Sequence, residues 1–270
     1  MATNFLTTIV QQKKADIAQA RERVSEARLV ELAGRRTDFR PFADRLARPG
    51  AGGVNIIAEI KRASPSKGDI CPDLDAADMA ARYEAGGAAA VSVLTDGPFF
   101  KGCLDDLTAA RAACNLPVLR KEFIISRYQV YEAAAAGADA ILLIARILTP
   151  EKLAQLYHLC RELGMDALVE IHSPADALVV AATDARLVGI NNRNLSTFET
   201  DLAVALELVS RLTAHQVPVA ASGIAGVADV KRNLSAGIFN FLVGESIVRA
   251  ADPAGFIRGL VGAGREEKTC

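Results

Sequence analysis

The chain has 270 residues, with 31 Lys and Arg against 32 Asp and Glu, 51% hydrophobic and 23% charged residues. A chain of this length and apolar content can bury roughly 75% of the surface its unfolded form exposes, which excludes disorder as the overall state. The net charge of −1 excludes a general pull toward nucleic acid or an anionic membrane and directs attention to a small-molecule partner. The opening MATNFLTTIVQQKKAD lacks the charged, apolar and cleavage regions of a secretory signal, and no apolar run approaches the ~18 residues of a membrane span. Cys71, Cys103, Cys114, Cys160 and Cys270 are odd in number, widely spaced and form no C-x-x-C pair, so no disulfide framework and no metal site is expected. The protein reads as cytoplasmic and reduced. Of the histidines, His158 sits in a helix-like stretch, His215 precedes a strand, and His172 alone lies near other polar groups of interest.

Residues 5 to 33 are rich in Ala, Arg, Glu and Gln, with Val10, Ile17 and Val24 seven apart and Leu29 and Leu32 continuing the stripe. This spacing predicts one amphipathic helix ending near Gly34. The following RRTDFRPFADRLARPGAGG carries Phe39 and Phe42 among basic residues and closes on a Pro/Gly break at Pro49 to Gly53. Residues 1–53 are read as an N-terminal helical extension that packs on the rest. From residue 54 the rhythm changes to short apolar runs at 54–60, 88–94, 117–121, 138–144, 166–171, 186–190, 217–222 and 239–244. Between them lie helical patterns such as AADMAARYEAGG, SRYQVYEAAAAG and TPEKLAQLYHLCRELG, several ending in Gly, as a left-handed helix cap favours. Short strands alternating with helices predict parallel pairing through right-handed crossovers. Eight such units fit a closed α/β (β/α)8 TIM barrel over residues 54–262, with 263–270 as a C-terminal tail. A doubly wound sheet competes, but no Gly-rich dinucleotide turn follows the first strand, and Gly262 to Gly264 lie after the last one.

In such a barrel, chemistry sits at the C-terminal ends of the strands. Strand one ends in Glu59 and Lys61, two apart and so on one face above Ile57. Strand three ends in Lys121, strand five in Glu170, strand six in Asn191 with Arg193 just after, and strand seven in Ser222. Ionised groups inside a barrel are costly unless paired or able to reach the rim. Two lysines and two glutamates offset one another, and each shifts its neighbours' proton affinities, as general acid and base work requires. The plainer alternative, rim salt bridges that only hold the barrel shut, suits one Glu–Lys pair better than charges from three strands.

The loop ASGIAG after strand seven and VGESIV after strand eight place Gly223, Gly226 and Gly244 ahead of helix starts, where backbone N–H groups and the helix dipole favour an anion. A phosphorylated substrate is therefore expected. The polar loop KRASPSKGDI at 61–70 is placed to bind or cover it. Phe99, Phe100 and Phe123 fall just past strands two and three in a chain with 5% aromatics and no Trp, where they either join the core or pack against an aromatic ring.

The stretch IIAEIKRASPSKG (56–68) resembles the signature of the indole-3-glycerol phosphate synthase family. SVLTDGPFFKG, LRKEFI, ILLIARIL, LVEIH, GINNRNL, ASGI and FLVGES follow in order over essentially the whole chain. The N-terminal helix is similar to the one this family lays over the barrel mouth. The resemblance implies ring closure of 1-(o-carboxyphenylamino)-1-deoxyribulose 5-phosphate to indole-3-glycerol phosphate with loss of CO2 and water, in tryptophan biosynthesis, without metal or organic cofactor. It also implies Lys121 as general acid, Glu170 and Glu59 in proton transfers, and Lys61 near the substrate carboxylate or the leaving hydroxyl. Asn191 and Ser222 would orient polar groups, and Arg193 and Ser64 would face the anthranilate carboxylate. Phe100, Phe123, Leu142 and Leu195 would enclose the ring, and the backbones of Gly223, Gly244 and Glu245 would hold phosphate.

One departure stands out: the family usually has Glu before the Ser-Gly after strand seven, and here Ala221 takes its place, which implies altered rate or pH dependence. Phosphoribosylanthranilate isomerase, a neighbouring barrel, would need a Cys/Asp acid–base pair, and the one Cys near an expected strand end, Cys71, lies deep in a loop. A catalytically silent phosphate-binding barrel serving as a complex subunit has Ala221 as its sole support. The short stretch after strand eight leads to the expectation that no second catalytic barrel is fused. Monomer or weak homodimer, and contact with other tryptophan-pathway enzymes, stay open.

Overall fold

The short apolar runs become strands because every one is covered on both sides, by the barrel interior on one and helices on the other. The computed structural model describes residues 5–194 and 197–265. Its strands are β1 (Asn55–Ile60), β2 (Ala90–Leu94), β3 (Val118–Lys121), β4 (Ala140–Ile144), β5 (Asp166–Ile171), β6 (Leu187–Asn191), β7 (Val217–Ala221) and β8 (Asn240–Val243). All pair in parallel, and β1 closes the cylinder by pairing with both β2 and β8. Successive side chains alternate sides. Ile57, Leu119, Leu142, Leu168, Val219 and Leu242 pack together inside, while Ile56, Val93, Ile141, Leu143, Val169 and Val188 join the helix-facing core.

The N-terminal extension differs from the single helix its periodicity predicts. It forms α1 (Phe5–Arg23) and α2 (Glu26–Gly34), because Ser25 is extended and its hydroxyl accepts the Arg28 N–H, capping a new helix. A short α3 (Phe42–Leu46) follows. α1 lies at the barrel mouth, where Phe5, Leu6 and Ile9 reach the central cavity. α2 runs down the outside beside the helix after β3, tied by Tyr128 Oη donating to Val24 O at 2.9 Å. α3 plugs the opposite end, its Ala43 N–H donating to Asp166 at the start of β5, 2.7 Å away, with Phe42 and Leu46 fully buried in the interior cluster.

The barrel helices are α4 (Ala76–Ala85), α5 (Gly97–Phe100), α6 (Leu104–Ala113), α7 (Arg127–Ala135), α8 (Pro150–Glu162), α9 (Pro174–Ala181), α10 (Ala203–Leu208), α11 (Val227–Leu234), α12 (Glu245–Val248) and α13 (Pro253–Val261). Asp75, Ser126, Thr149, Ser173 and Asp252 cap their first turns. Two further differences lie at the mouth. Strand β7 stops at Ala221, one residue short of expectation, because Ser222 takes a left-handed φ of 65°. The 61–70 loop is not irregular: Ala63–Ser64 pairs antiparallel with Gly68–Asp69 around a turn in which Gly68 has φ +64°. Of the expected tail, residues 266–270, Cys270 included, lie outside the described residues.

Candidate active site

The strand ends converge on one cavity of about 400 Å³ at the C-terminal face of the barrel. Glu59, Lys61, Ser64, Phe100, Lys121, Phe123, Leu142, Glu170, Asn191, Arg193, Ser222, Gly223, Gly244 and Glu245 all line it. Leu195 lies outside the described residues.

At the centre stands the Glu59 carboxylate, 2.7 Å from Lys61 Nζ through Oε1 and 3.4 Å from Lys121 Nζ through Oε2. Burial alone would raise its proton affinity, but the two ammonium groups outweigh burial and hold the carboxyl at about 2. Lys121 is pushed the other way: burial disfavours its charge, and the carboxylates of Glu59 and Glu170 more than offset that, raising it above the ordinary lysine value. It is therefore a protonated donor, bonded to Glu59 and charged in part by the field of Glu170. Tyr83 Oη fixes the backbone beneath Glu59, donating to its carbonyl at 3.0 Å.

A second chain of contacts runs along β5 and β6. Asn191 Nδ2 donates to Glu170 Oε1 at 3.1 Å, and Asn191 Oδ1 accepts from the Arg193 N–H at 3.0 Å. His172 Nε2 stands 3.3 Å from Glu170 Oε1, and burial lowers its pKa despite that carboxylate, so a neutral imidazole faces an ionisable acid. Arg193 and Ser64 both line the cavity, and the Arg193 guanidinium donates to Ser66 Oγ at 2.7 Å, bridging the loops after β1 and β6. Ser64 Oγ is buried and has no hydrogen-bond partner among the described residues, which leaves it available to a ligand.

The aromatic wall is Phe100 against Phe123, centroids 6.1 Å apart and tilted by 37°, with Leu142 on the barrel floor. Opposite lie the two glycine loops. Gly223 follows Ser222 into the left-handed region at φ +81°. Gly244 has no room for a Cβ, which would fall 2.5 Å from Glu59 Oε1, so the loop after β8 presses directly on the central carboxylate. Ser246 Oγ donates to Ile224 O at 2.8 Å and joins the two loops. Ala221 is buried among Val219 and Leu242 inside the barrel, so no carboxylate enters from β7.

Several lining residues carry no expectation from sequence. Phe5, Leu6, Ile9 and Phe198 form the roof, with Phe5 edge-on to Phe99 at 5.5 Å and to Phe198 at 5.0 Å. The stripe of Val10, Ile17 and Val24 expected from sequence is not the buried face: Val24 is exposed, and α1 turns Leu6, Ile9 and Lys13 inward. Arg249, the residue that follows α12, lines the cavity and pairs with Glu245 at 3.2 Å, a spacing of four that could have flagged it.

Solved structures with the same fold include a thiamine phosphate pyrophosphorylase from Pyrococcus furiosus, with a TM-score of 0.59 and 14% identity over 83% of this chain and 98% of that one. Another is a 3-hexulose-6-phosphate synthase from Salmonella typhimurium, with a TM-score of 0.62 and 15% identity over 77% of this chain and 97% of that one. A family model for indole-3-glycerol phosphate synthase matches residues 6–260. Proteins of that name from Desulfosudis oleivorans and Syntrophobacter fumaroxidans are 60% and 49% identical over 259 and 261 residues, covering 96% and 97% of this chain and 98% of each relative. With the family matched across the barrel and its charged strand ends gathered at one mouth, this chain belongs to the indole-3-glycerol phosphate synthases, decarboxylating carbon–carbon lyases of tryptophan biosynthesis.

Proposed function

We propose that the strand-end charges divide the ring closure between a lysine acid and a glutamate base. The aryl carbon bearing the carboxylate attacks the ketone of the substrate, and the new C–C bond needs a proton delivered to the carbonyl oxygen. Lys121 gives it: its ammonium is held protonated by the charges of Glu59 and Glu170. Loss of CO2 then restores the aromatic ring. Dehydration follows, in which the new hydroxyl leaves as water and a base takes a proton from the carbon beside the nitrogen. Glu59, held at about 2, is a poor acceptor at neutral pH and serves to fix Lys61 and Lys121, so Glu170 is the base. Lys61, which lines the same cavity, assists the departing hydroxyl or the carboxylate.

Around this centre, Arg193 and Ser64 take the anthranilate carboxylate, Phe100, Phe123 and Leu142 enclose the ring, and Asn191 and Ser222 orient polar groups. The backbones of Gly223, Gly244 and Glu245 take the phosphate, with the Arg249 guanidinium nearby. The observation that carries this reading is a single cavity lined by Lys121, by Glu59 at 3.4 Å from it, by Glu170 and by two glycine loops. Free Cys71, Cys103, Cys114 and Cys160 support a reducing compartment, the cytoplasm. Sedimentation would choose between monomer and weak homodimer, and would detect association with other tryptophan-pathway enzymes.

The test is to mix the protein with 1-(o-carboxyphenylamino)-1-deoxyribulose 5-phosphate in the presence of chelator and follow indole absorbance. Product formation supports the ring-closing activity and its independence from metal. Binding without turnover would revive a silent barrel and make Ala221→Glu the next variant.

A further inference from the structure

The cavity roof is tied to its wall by a charge cluster that none of the roles above uses. Lys13, in the middle of α1, is 4% exposed. Its ammonium lies 2.6 Å from Asp96 Oδ2, 2.8 Å from Asp16 Oδ2 and 3.5 Å from Glu122 Oε1. A lysine that only fastened a surface helix could bond at the rim and keep its water, whereas this one is buried against carboxylates from two barrel loops, where an uncompensated charge is costly.

Each of those carboxylates holds a piece of the aromatic wall. Asp96 Oδ1 accepts the Phe99 N–H at 2.7 Å and so caps α5, which ends at Phe100. Glu122 follows Lys121 in the chain. Its Oε1 accepts the Phe123 N–H at 2.8 Å, and its Oε2 accepts from Thr95 Oγ1 at 3.0 Å. Arg120 Nε donates to the same Thr95 hydroxyl at 3.1 Å and pairs with Glu132 at 2.7 Å. The charged groups facing the cluster are thus Lys13 and Asp16 from α1, Asp96 from the loop after β2, Glu122 and Arg120 from β3 and its end, and Glu132 from α7.

We propose that Lys13 is a positioning residue for the reaction: by binding Asp96 and Glu122 together as carboxylates, it sets Phe100, Phe123 and the backbone beside Lys121 in the geometry that ring closure needs. The N-terminal helix thereby takes part in turnover rather than only covering the mouth. Lys13 touches no reacting atom, and its action passes through the two carboxylates. Without the cation, Asp96 and Glu122 face each other buried, and one of them takes a proton or turns away. The wall then loses one of its anchors, while the phosphate and carboxylate contacts, which come from the loop after β1 and from the ends of β6, β7 and β8, stay in place. The expected signature is loss of kcat with KM nearly kept, because an aromatic ring misplaced by about an ångström loses alignment with the ketone.

The inference rests on the assignment of Lys121, Phe100 and Phe123 to the site, and Lys121→Ala measured in parallel tests that assignment by itself. In the full chain, Lys13→Met is expected to lower kcat about tenfold or more with KM within about threefold, counted per folded enzyme by thermal unfolding. The deficit should shrink as pH falls from about 8 to 6, because a proton shared by Asp96 and Glu122 stands in for the lost cation. Glu122→Gln added to Lys13→Met should recover part of kcat and flatten that pH dependence. A folded Lys13→Met with kcat within about twofold of the parent, or a loss that neither acid nor Glu122→Gln relieves, would overturn the proposal. Should Lys13→Met not fold, Asp96→Asn keeps the cap on Phe99 and removes the charge. The same kcat loss is expected there, and unchanged kcat overturns the proposal.

Discussion

Glu59 and Lys121 divide one electrostatic problem between them, and each is perturbed in the direction its neighbour dictates. If Lys121 is the acid, Lys121→Ala should lower kcat by about 10²- to 10⁴-fold while binding of substrate stays measurable by calorimetry. Near-normal turnover would hand the role to Lys61. Glu59 carries a second, pH-linked consequence. Its carboxyl moves from an ordinary 4.5 down to about 2 on folding, so the unfolded chain takes up the proton first as pH falls. The stability that its ion pairs contribute is complete above pH 4.5 and is lost between 4.5 and about 2. Urea midpoints of Glu59→Gln should therefore fall below those of the parent at neutral pH and converge with them toward pH 2, whereas a constant gap would mean that Glu59 acts by packing alone. These residues were legible in the sequence because strand ends in a barrel project to one place. His172 and Arg249 were not assigned roles, since what they meet depends on how neighbouring strands and a four-residue helix come together.

Elements show the same division between local and assembled information. The alternation of short apolar runs with capped helices is written locally, in Asp75, Ser126 and Thr149 and in the strand stripes, and the structure follows it nearly everywhere. The break at Ser25 was locally encoded too, but an apolar stripe running through Val24 to Leu29 masked it. Helix α3 had no sequence signal, since five residues are too few to show a period, and its aromatic residue is buried only because an open barrel end needs filling. That dependence makes it testable. Phe42 is fully buried in the interior cluster at the end away from the cavity, so Phe42→Ala should cost about 3–5 kcal/mol in urea unfolding and leave kcat and KM of the folded enzyme unchanged. A changed KM would show that packing at the base is transmitted through the column of Ile57, Leu142 and Leu242 to the mouth.

At the scale of the whole molecule, the N-terminal extension clasps the barrel at both ends, with Lys13 and the Phe5 face on the mouth and α3 with the preceding segment on the base. The basal clasp centres on Asp139, which is 1% exposed just before β4. Its Oδ1 receives Arg36 Nη2 at 2.7 Å and the Arg40 N–H at 2.9 Å, and its Oδ2 receives Arg111 Nη1 at 2.6 Å and the Val118 N–H at 2.9 Å. One carboxylate therefore joins the extension, α6 and the start of β3. Conserving volume but removing the charge, as in Asp139→Asn, replaces an acceptor with an amide donor that faces two guanidinium groups and two N–H groups. Breaking a buried ion pair from one side costs about 3–5 kcal/mol, and the loss should appear as a lower urea midpoint. Because a barrel separates stability at its base from chemistry at its mouth, kcat per folded molecule should hold. If instead kcat falls with stability unchanged, the two ends of the extension are coupled through α1 and α2, and the clasp at the base helps to set the position of Lys13 at the mouth.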